Sequence, residues 1–413
     1  MNDSSHTADT AYPDEPGPGL QARAARRRGP GRGAVVFVAG LFALLHAYVG
    51  LRLLPAMDLA PAGNAAAIAL LAASAAWIPA SLLAPRYAGR WHRALAVPVV
   101  WGGLFMTGLA STLLVLTVLR DLLLLPALLL LSATTLQALA HDSAVAVAVL
   151  APLASLIGLF NARRTPRVVE VDIPLPDLPP ALEGFRIVQL SDIHVGPTIK
   201  RGFLARIVAR VNQLDAHVVA ITGDLVDGKV AELRGHVATL AGLGSRFGTY
   251  FVTGNHEYYS GADAWIAELR RLGINVLHNR HEVLRHHGAE LVLAGVSDYS
   301  GHHYGEHHRS DPQAALRGAP STAPRVLLAH QPRSAPAAAE AGFHLQISGH
   351  THGGQFFPWN HFVRFQQPYT AGLHRLAGLW VYTSRGTGYW GPPKRLGAPS
   401  EITLIRLTAG RLG

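Results

Sequence analysis

The sequence predicts an α/β protein in two parts: an N-terminal multi-span α-helical membrane domain (34–160) and a C-terminal domain (165–413) of alternating strands and helices. Three observations carry this. Four apolar segments, Ala34 to Leu54, Ala65 to Leu83, Ala96 to Leu119 and Ser143 to Phe160, each approach the ~20 residues that a bilayer-spanning helix needs. From Thr165 onward, short apolar runs alternate with segments of helical period. Five of those runs end in Asp, Asn or His.

Composition agrees with the division. Of 413 residues, 49% are apolar and only 15% charged, and the first 160 residues account for the excess. The absence of cysteine excludes disulfides, thiolate metal sites and Cys nucleophiles. Residues 1–33, rich in Pro, Gly, Ser and Ala, read as a disordered tail ending in Arg23, Arg26, Arg27, Arg28 and Arg32. A cleaved signal peptide would explain the first apolar segment but not the next three. A twin-arginine signal at Arg26-Arg27 is a poor match, because Gly-Pro-Gly follows.

The flanks predict an orientation. Arginines precede span one, lie between spans two and three (Arg86, Arg90, Arg93) and follow span four (Arg163, Arg164, Arg167). The remaining connections are nearly balanced, Arg52 with Asp58 and Arg120 with Asp121. The positive-inside rule then places both termini and the C-terminal domain on the cytoplasmic side of a cell inner membrane, with the chain crossing several times. Leu122 to Leu131, interrupted by Pro126, is too short to span and reads as interfacial or re-entrant. If it crossed together with Ser132 to Ala140, the topology would reverse and set the last arginines on the wrong side. The net charge of +10 sits largely in these flanks, so membrane lipids are the expected partner. No zinc-finger spacing or aromatic-basic motif favours nucleic acid.

In the C-terminal half, Val168 to Ile173 reads as an edge strand leading through a proline-rich turn to the strand Phe185 to Leu190. Leu204, Ile207, Val208, Val211 and Leu214 form one helical face. The strand His217 to Thr222, a helix over Ala231 to Leu243, the strand Thr249 to Thr253 and a helix over Ala264 to Leu272 follow. Further strands are expected at Ile274 to Leu277, Glu282 to Leu284, Glu290 to Val296, Arg325 to Ala329, Phe343 to Ser348, Leu379 to Ser384 and Glu401 to Leu407. This order implies a largely parallel sheet whose strand ends line one edge, where open α/β sheets bind ligands. Those ends carry Asp192 and His194, Asp224, Asn255 and His256, His330, and His350 and His352. Each has a plainer reading: Gly223-Asp224 and Gly254-Asn255 suit turns, and a lone His330 suits packing. Their joint occurrence at strand ends argues for a cation site.

The series Asp192-x-His194, Gly223-Asp224-x-x-Asp227, Gly254-Asn255-His256-Glu257, His330 and Gly349-His350-x-His352 resembles the calcineurin-like metallophosphoesterases. With four spans before it, the chain looks like the membrane-anchored bacterial branch of that family. The resemblance implies an αββα sandwich of two sheets, and two divalent ions. Asp192, His194, Asp224 and His352 would hold one ion; Asp224, Asn255, His330 and His350 would hold the other. It also implies that His256 protonates the leaving group while Asp227 fixes its tautomer; a helix cap is the plainer role for Asp227. Such a centre would hydrolyse a phosphodiester, pyrophosphate or phosphomonoester with hydroxide held at the metals. Mixed His and carboxylate donors suit manganese, iron or zinc.

Arg385, after a strand, is a candidate phosphate-binding residue, or an incidental member of a glycine-rich turn. Tyr258 and Tyr259 line the cleft or pack in the core. His302, His303, His307 and His308 read as a solvated loop, and His46 as a local polar contact. A location beside the bilayer points to a lipid-linked phosphate ester, such as a nucleotide-linked lipid precursor. The rival readings are a non-catalytic sensing or scaffolding module, and a transporter carrying a regulatory phosphatase.

Overall fold

The computed structural model describes residues 32–87 and 93–410. Residues 1–31 of the expected tail and Arg90 therefore lie outside the described residues, while Arg32 and Gly33 already belong to the first helix. Among the described residues, four helices are long and apolar enough to cross a membrane: α1 (Arg32–Met57), α2 (Pro61–Tyr87), α3 (Arg93–Leu130) and α4 (Ala133–Arg163). They contain the four expected segments, but α3 and α4 are longer than expected.

The stretch Leu122 to Leu131, expected as an interfacial or re-entrant piece separate from span three, is instead joined to it in one helix as far as Leu130. Helix α3 continues through Pro126 to Leu130, and α4 starts three residues later with Ser132 capping Thr135 N. Leucine-rich sequence on both sides keeps the helix going, and long apolar helices tolerate proline where neighbouring groups satisfy the freed carbonyl. Leu122 to Ala140 thus comprises the end of α3, a short connection and the start of α4.

A polar belt ties three helices together near that connection. Buried Arg120 of α3 donates to Ser143 Oγ (3.0 Å) and Ala140 O (2.9 Å), while Asp121 accepts from Tyr48 (2.6 Å) and Arg52 (2.8 Å) of α1. At the other end, the Arg163 guanidinium lies 5.9 Å from the Trp101 ring. Arg120 to Trp101 is ~29 Å of helix, close to the ~30 Å thickness of a hydrocarbon core.

Past Arg163 the chain enters two six-stranded sheets. The first has the order β1-β12-β2-β3-β4-β5, formed by β1 (Arg167–Leu175), β2 (Phe185–Leu190), β3 (Val218–Thr222), β4 (Thr249–Val252), β5 (Asn275–Val276) and β12 (Glu401–Ala409). The second has the order β10-β11-β9-β8-β7-β6, formed by β6 (Arg280–His286), β7 (Ala289–Gly295), β8 (Arg325–Leu328), β9 (Leu345–Ser348), β10 (Gly372–Leu376) and β11 (Leu379–Thr383). Each is mixed: β2 to β5 run parallel beside antiparallel β12, and β11, β9, β8 and β7 run parallel between antiparallel edges. The one-sheet reading from strand order alone is therefore replaced by two sheets, as the family resemblance implied. The strand-helix rhythm continues across the switch at 277–279, so it cannot mark where one sheet ends. Pro174 is tolerated because β1 is an edge strand.

Apolar side chains of both sheets, among them Ile187, Val218, Leu293, Val326 and Ile347, form the inner core. Outside the first sheet, α5 (Arg201–Val211), α6 (Val230–Val237) and α8 (Ala262–Arg271) cover a second core, with short α7 (Asn255–Ser260) leading into α8. Outside the second sheet lies α9 (Ala335–Glu340). The helix expected over Ala231 to Leu243 is split, its second half being a 3-10 turn (Ala238–Gly242).

The two parts interlock. The loop after β11 inserts Lys394 between α3 and α4, where Nζ donates to Gly108 O (3.1 Å), Ser155 Oγ (3.1 Å) and Thr112 Oγ1. Gly158 of α4 permits this, since a Cβ there would lie 2.6 Å from Lys394 Cγ. Its carbonyl accepts from Arg395 N (2.9 Å).

Candidate metal centre

The donors come from turns that follow β2, β3, β4, β8 and β9, and the turns after β2, β3 and β9 bend sharply within two residues of their strands. Asp192, His194, Asp224, His350 and His352 all have φ between 50° and 72°. This left-handed backbone is uncommon outside glycine and costs about 1–3 kcal/mol per residue. Gly254 lets the third turn pass, because a Cβ there would sit 2.3 Å from Asp224 Oδ1.

Six of the seven proposed donors fall into two groups of facing atoms. Ligand atoms of Asp192, His194 and His352 lie within 4.8 Å of one another, as do those of Asp224, His330 and His350. Within the first group, His194 Nε2 is 3.0 Å from His352 Nε2, and His352 Nε2 is 3.5 Å from Asp192 Oδ1. Within the second, His330 Nε2 lies 3.1 Å from Asp224 Oδ2 and 3.2 Å from His350 Nδ1. Asp224 Oδ2 also approaches His194 Nε2 at 4.0 Å, so one carboxylate touches both groups. Asn255 starts α7, and its buried Oδ1 has no hydrogen-bond partner. Such an orphaned acceptor, costly when buried, fits a cation ligand.

Neighbours orient two of the donor rings and favour the neutral form of two others. His330 Nδ1 donates to Thr222 O (2.8 Å) and His194 Nδ1 to Asp227 Oδ1 (3.1 Å), leaving each Nε2 lone pair aimed inward. Burial and the neighbouring His330 depress His350 to about 4. Burial and the Arg395 guanidinium push His352 well below the usual imidazole range. Both stay neutral, as ligands must.

His256 stands just outside the two groups. Its Nδ1 is 2.6 Å from Asp227 Oδ1, and its backbone N–H donates to Asp224 Oδ1 (2.8 Å). Burial disfavours the imidazolium, but the Asp227 hydrogen bond and the Asp224 charge outweigh burial and lift the pKa to about 9. Asp227 caps no helix, since α6 begins after Lys229. Exposed Tyr259 and Trp390 flank the imidazole with ring centroids 5.1 and 5.7 Å away. Tyr258 is instead buried, paired with Thr253.

Arg385 lies beside this region, paired through Nη1 with buried Glu401 (3.2 Å). The four loop histidines are not brought into the centre: His308 packs against Tyr258 and faces Asp263, and His302 bonds Tyr299 O. Sequence reasoning missed three supporting residues. Glu257 accepts from Asp224 N (3.0 Å), Leu225 N (2.8 Å), Val226 N (3.3 Å) and Gly254 N (2.7 Å), binding two donor turns together. Its place after Asn255-His256 was the available signal. Buried Arg395 lies 3.0 Å from His352 Nδ1 and donates to Arg385 O (2.7 Å). Gln355 donates to the carbonyls of Trp390 (2.9 Å) and Pro392 (3.1 Å). Neither of the last two has a local spacing signal.

The fold and donor set define a class, that of two-sheet α/β proteins with a His- and carboxylate-lined cation site at the strand ends. The family model of the calcineurin-like phosphoesterases matches residues 185–354, a span that holds all seven donors. A zebrafish transmembrane protein with a metallophosphoesterase domain is 42% identical over 267 residues, covering 61% of this chain and 60% of its own length. A Helicobacter pylori metallophosphoesterase is 37% identical over 252 residues, covering 60% of this chain and 66% of its own. A metallophosphoesterase of Aquifex aeolicus is 31% identical over 259 residues, covering 62% of this chain and 97% of its own. The chain belongs to the calcineurin-like phosphoesterase family.

Proposed function

We propose that the chain is a membrane-anchored, metal-dependent phosphoesterase acting on a phosphate ester held at the membrane surface. The observation that carries this reading is the shared wall between centre and membrane helices. The loop whose Trp390 meets His256, and whose Arg395 meets His352, is the same loop that seats Lys394 between α3 and α4. The rim of the centre thus borders the membrane domain, and a lipid-linked phosphodiester, pyrophosphate or monoester is the substrate class that fits it.

Asp192, His194, Asp224 and His352 would hold one divalent ion, and Asp224, Asn255, His330 and His350 a second. Manganese, iron and zinc all suit these donors. Two such ions neutralise phosphoryl charge and make hydroxide available near neutral pH. His256 then delivers a proton from Nε2 to the departing ester oxygen, and Asp227 holds the ring by Nδ1. Arg385, steadied by Glu401, has guanidinium N–H groups left to bind a non-bridging phosphate oxygen. The flanking arginines favour a cytoplasmic catalytic domain in an inner membrane crossed several times; a reporter fused after Phe160 that is active only outside the cytoplasm overturns that orientation.

The direct test assays full-length protein in nanodiscs with manganese on aryl phosphodiester, aryl phosphomonoester and phospholipid monoester substrates. Turnover lost in Asp224→Asn and His256→Ala supports the enzyme. Metal-loaded, folded protein that cleaves none of them moves the scaffolding reading ahead.

A further inference from the structure

The membrane helices line a partly open cavity that hydrolysis at the metal centre does not itself require. Phe42 and Val49 of α1, Leu71 of α2, Ala110 and Leu114 of α3, and Trp359 of the catalytic domain form its walls. It holds about 240 Å³. Apolar cavities of roughly 150 Å³ stay dry and take up apolar molecules. Water is therefore a poor occupant here.

His46 and Leu71 line this cavity and also a groove of about 820 Å³ between α1 and α2, so the two adjoin across these side chains. Exposed short side chains, including Ala43, Ala47, Ala72 and Ala76, shape the groove on the face turned towards lipid. The polar group at the junction is already committed. His46 Nδ1 lies 2.7 Å from Phe42 O, and Nε2 lies 2.9 Å from Ser74 Oγ. His46 therefore offers no ring nitrogen to a headgroup in either space.

Trp359 links the cavity to the metal centre. It starts α10 (Trp359–Phe362), seven residues after His352, and its Nε1 donates to Ser111 Oγ of α3 (3.2 Å). Between them Gln355 grips the backbone of Trp390, whose ring faces His256. Both tryptophans are exposed, as are Phe357, Phe362 and Phe365 beside them. An aromatic rim of this kind belongs at the membrane interface, and it borders both the donor set and the cavity.

We infer that the cavity and its groove bind an acyl chain of the substrate while the phosphate ester of the same molecule lies at the metal centre. This rests on the phosphoesterase reading for the headgroup half. The chain's own residues 1–31 are too rich in Arg, Pro and Gly to suit these apolar walls. An acyl chain matches them in polarity and is supplied by the bilayer that the groove faces.

The test places full-length protein in nanodiscs with a phosphatidic acid whose acyl chain carries a mid-chain diazirine, followed by photolysis and peptide mapping. Label concentrated at Val49, Leu114 and Trp359, and lost in Ala110→Trp and Leu71→Trp, is the expected result; Leu71→Phe replaces a tryptophan variant that does not fold. Label spread evenly over lipid-facing positions, label unchanged in the variants, or a second copy cross-linked along the groove overturns the inference. In the variants, the kcat/KM ratio for dioleoyl over dihexanoyl ester falls about tenfold, the scale of pocket discrimination for hydrocarbon. If the wild type cleaves neither these esters nor an aryl diester, the phosphoesterase reading fails, while the labelling still decides the acyl site.

Discussion

Oδ1 of Asp227 lies 2.6 Å from Nδ1 of His256, and that same oxygen lies 3.1 Å from Nδ1 of His194. One carboxylate thus orients both a proposed proton donor and a proposed metal ligand. Asp227→Asn weakens both roles while preserving size. Loss of general-acid orientation is expected to lower kcat by about 10²-fold or more, and loss of support for His194 to weaken metal affinity by ~10- to 100-fold. Assays at saturating manganese, paired with metal analysis, separate the two. A kcat within a factor of two of wild type at full metal occupancy removes Asp227 from the proposed mechanism.

Metal removal is predicted to destabilise the fold as well as silence it. Five donors sit on left-handed backbone, and Asn255 Oδ1 is buried without a partner. A bound cation offsets these costs only in the native state. Manganese at 100 times its Kd adds about 2.7 kcal/mol of stability. The melting temperature is therefore expected to rise with manganese and fall with chelator, and Asp224→Asn should flatten the response. A chelator-insensitive melt of metal-stripped protein contradicts this.

Lys394 supplies a pH dependence whose sign follows from its burial. Burial lowers its pKa from 10.5 to about 8. Below pH 8 the ammonium is charged in both folded and unfolded states, and the cost of burying it is fully present. Between pH 8 and 10.5 the unfolded chain holds a proton that the folded chain has released, so stability rises with pH across that window. Thr112 and Ser155 also bond to Gly108 O and Ala151 O of their own helices, so Lys394→Met leaves them partnered. Full-length protein melted in detergent from pH 7 to 10.5 should show the rise, and the variant should lose it.

The strands that carry donors were legible because apolar runs ending in Asp, Asn or His combine a buried strand with a polar turn. Strand ends marked Asp192, His194, Asp224, Asn255, His256, His330, His350 and His352 as candidates, and the resemblance implied which of them ligate; six of these, Asp192, His194, His352, Asp224, His330 and His350, lie in two compact groups. Pairing of strands into two sheets was not legible from period, because parallel strands buried on both faces read alike in either sheet. Lys394 and Arg395 were not legible either. Their contacts lie more than 230 residues away in α3 and α4, or on a turn brought near by the fold. The extent of α3 was misjudged at Pro126, where a local breaker rule met a leucine-rich helix with helical neighbours.

Glu257 gives the sharpest test of how the donor turns are held. Both its oxygens are fully buried and accept four backbone N–H groups, from Asp224, Leu225, Val226 and Gly254. These groups belong to the turns after β3 and β4, so one side chain fixes Asp224 relative to Asn255 and His256. Glu257→Ala strands all four donors, and each unsatisfied buried group costs about 1–3 kcal/mol. Glu257→Gln keeps an oxygen but turns an NH₂ towards backbone donors, and should lose roughly half of the bonds. The expected order of melting temperature and manganese affinity is wild type, then Gln, then Ala, with the Ala variant unfolded or metal-free. Equal metal affinity in all three folded proteins would show that the turns hold the donors without Glu257.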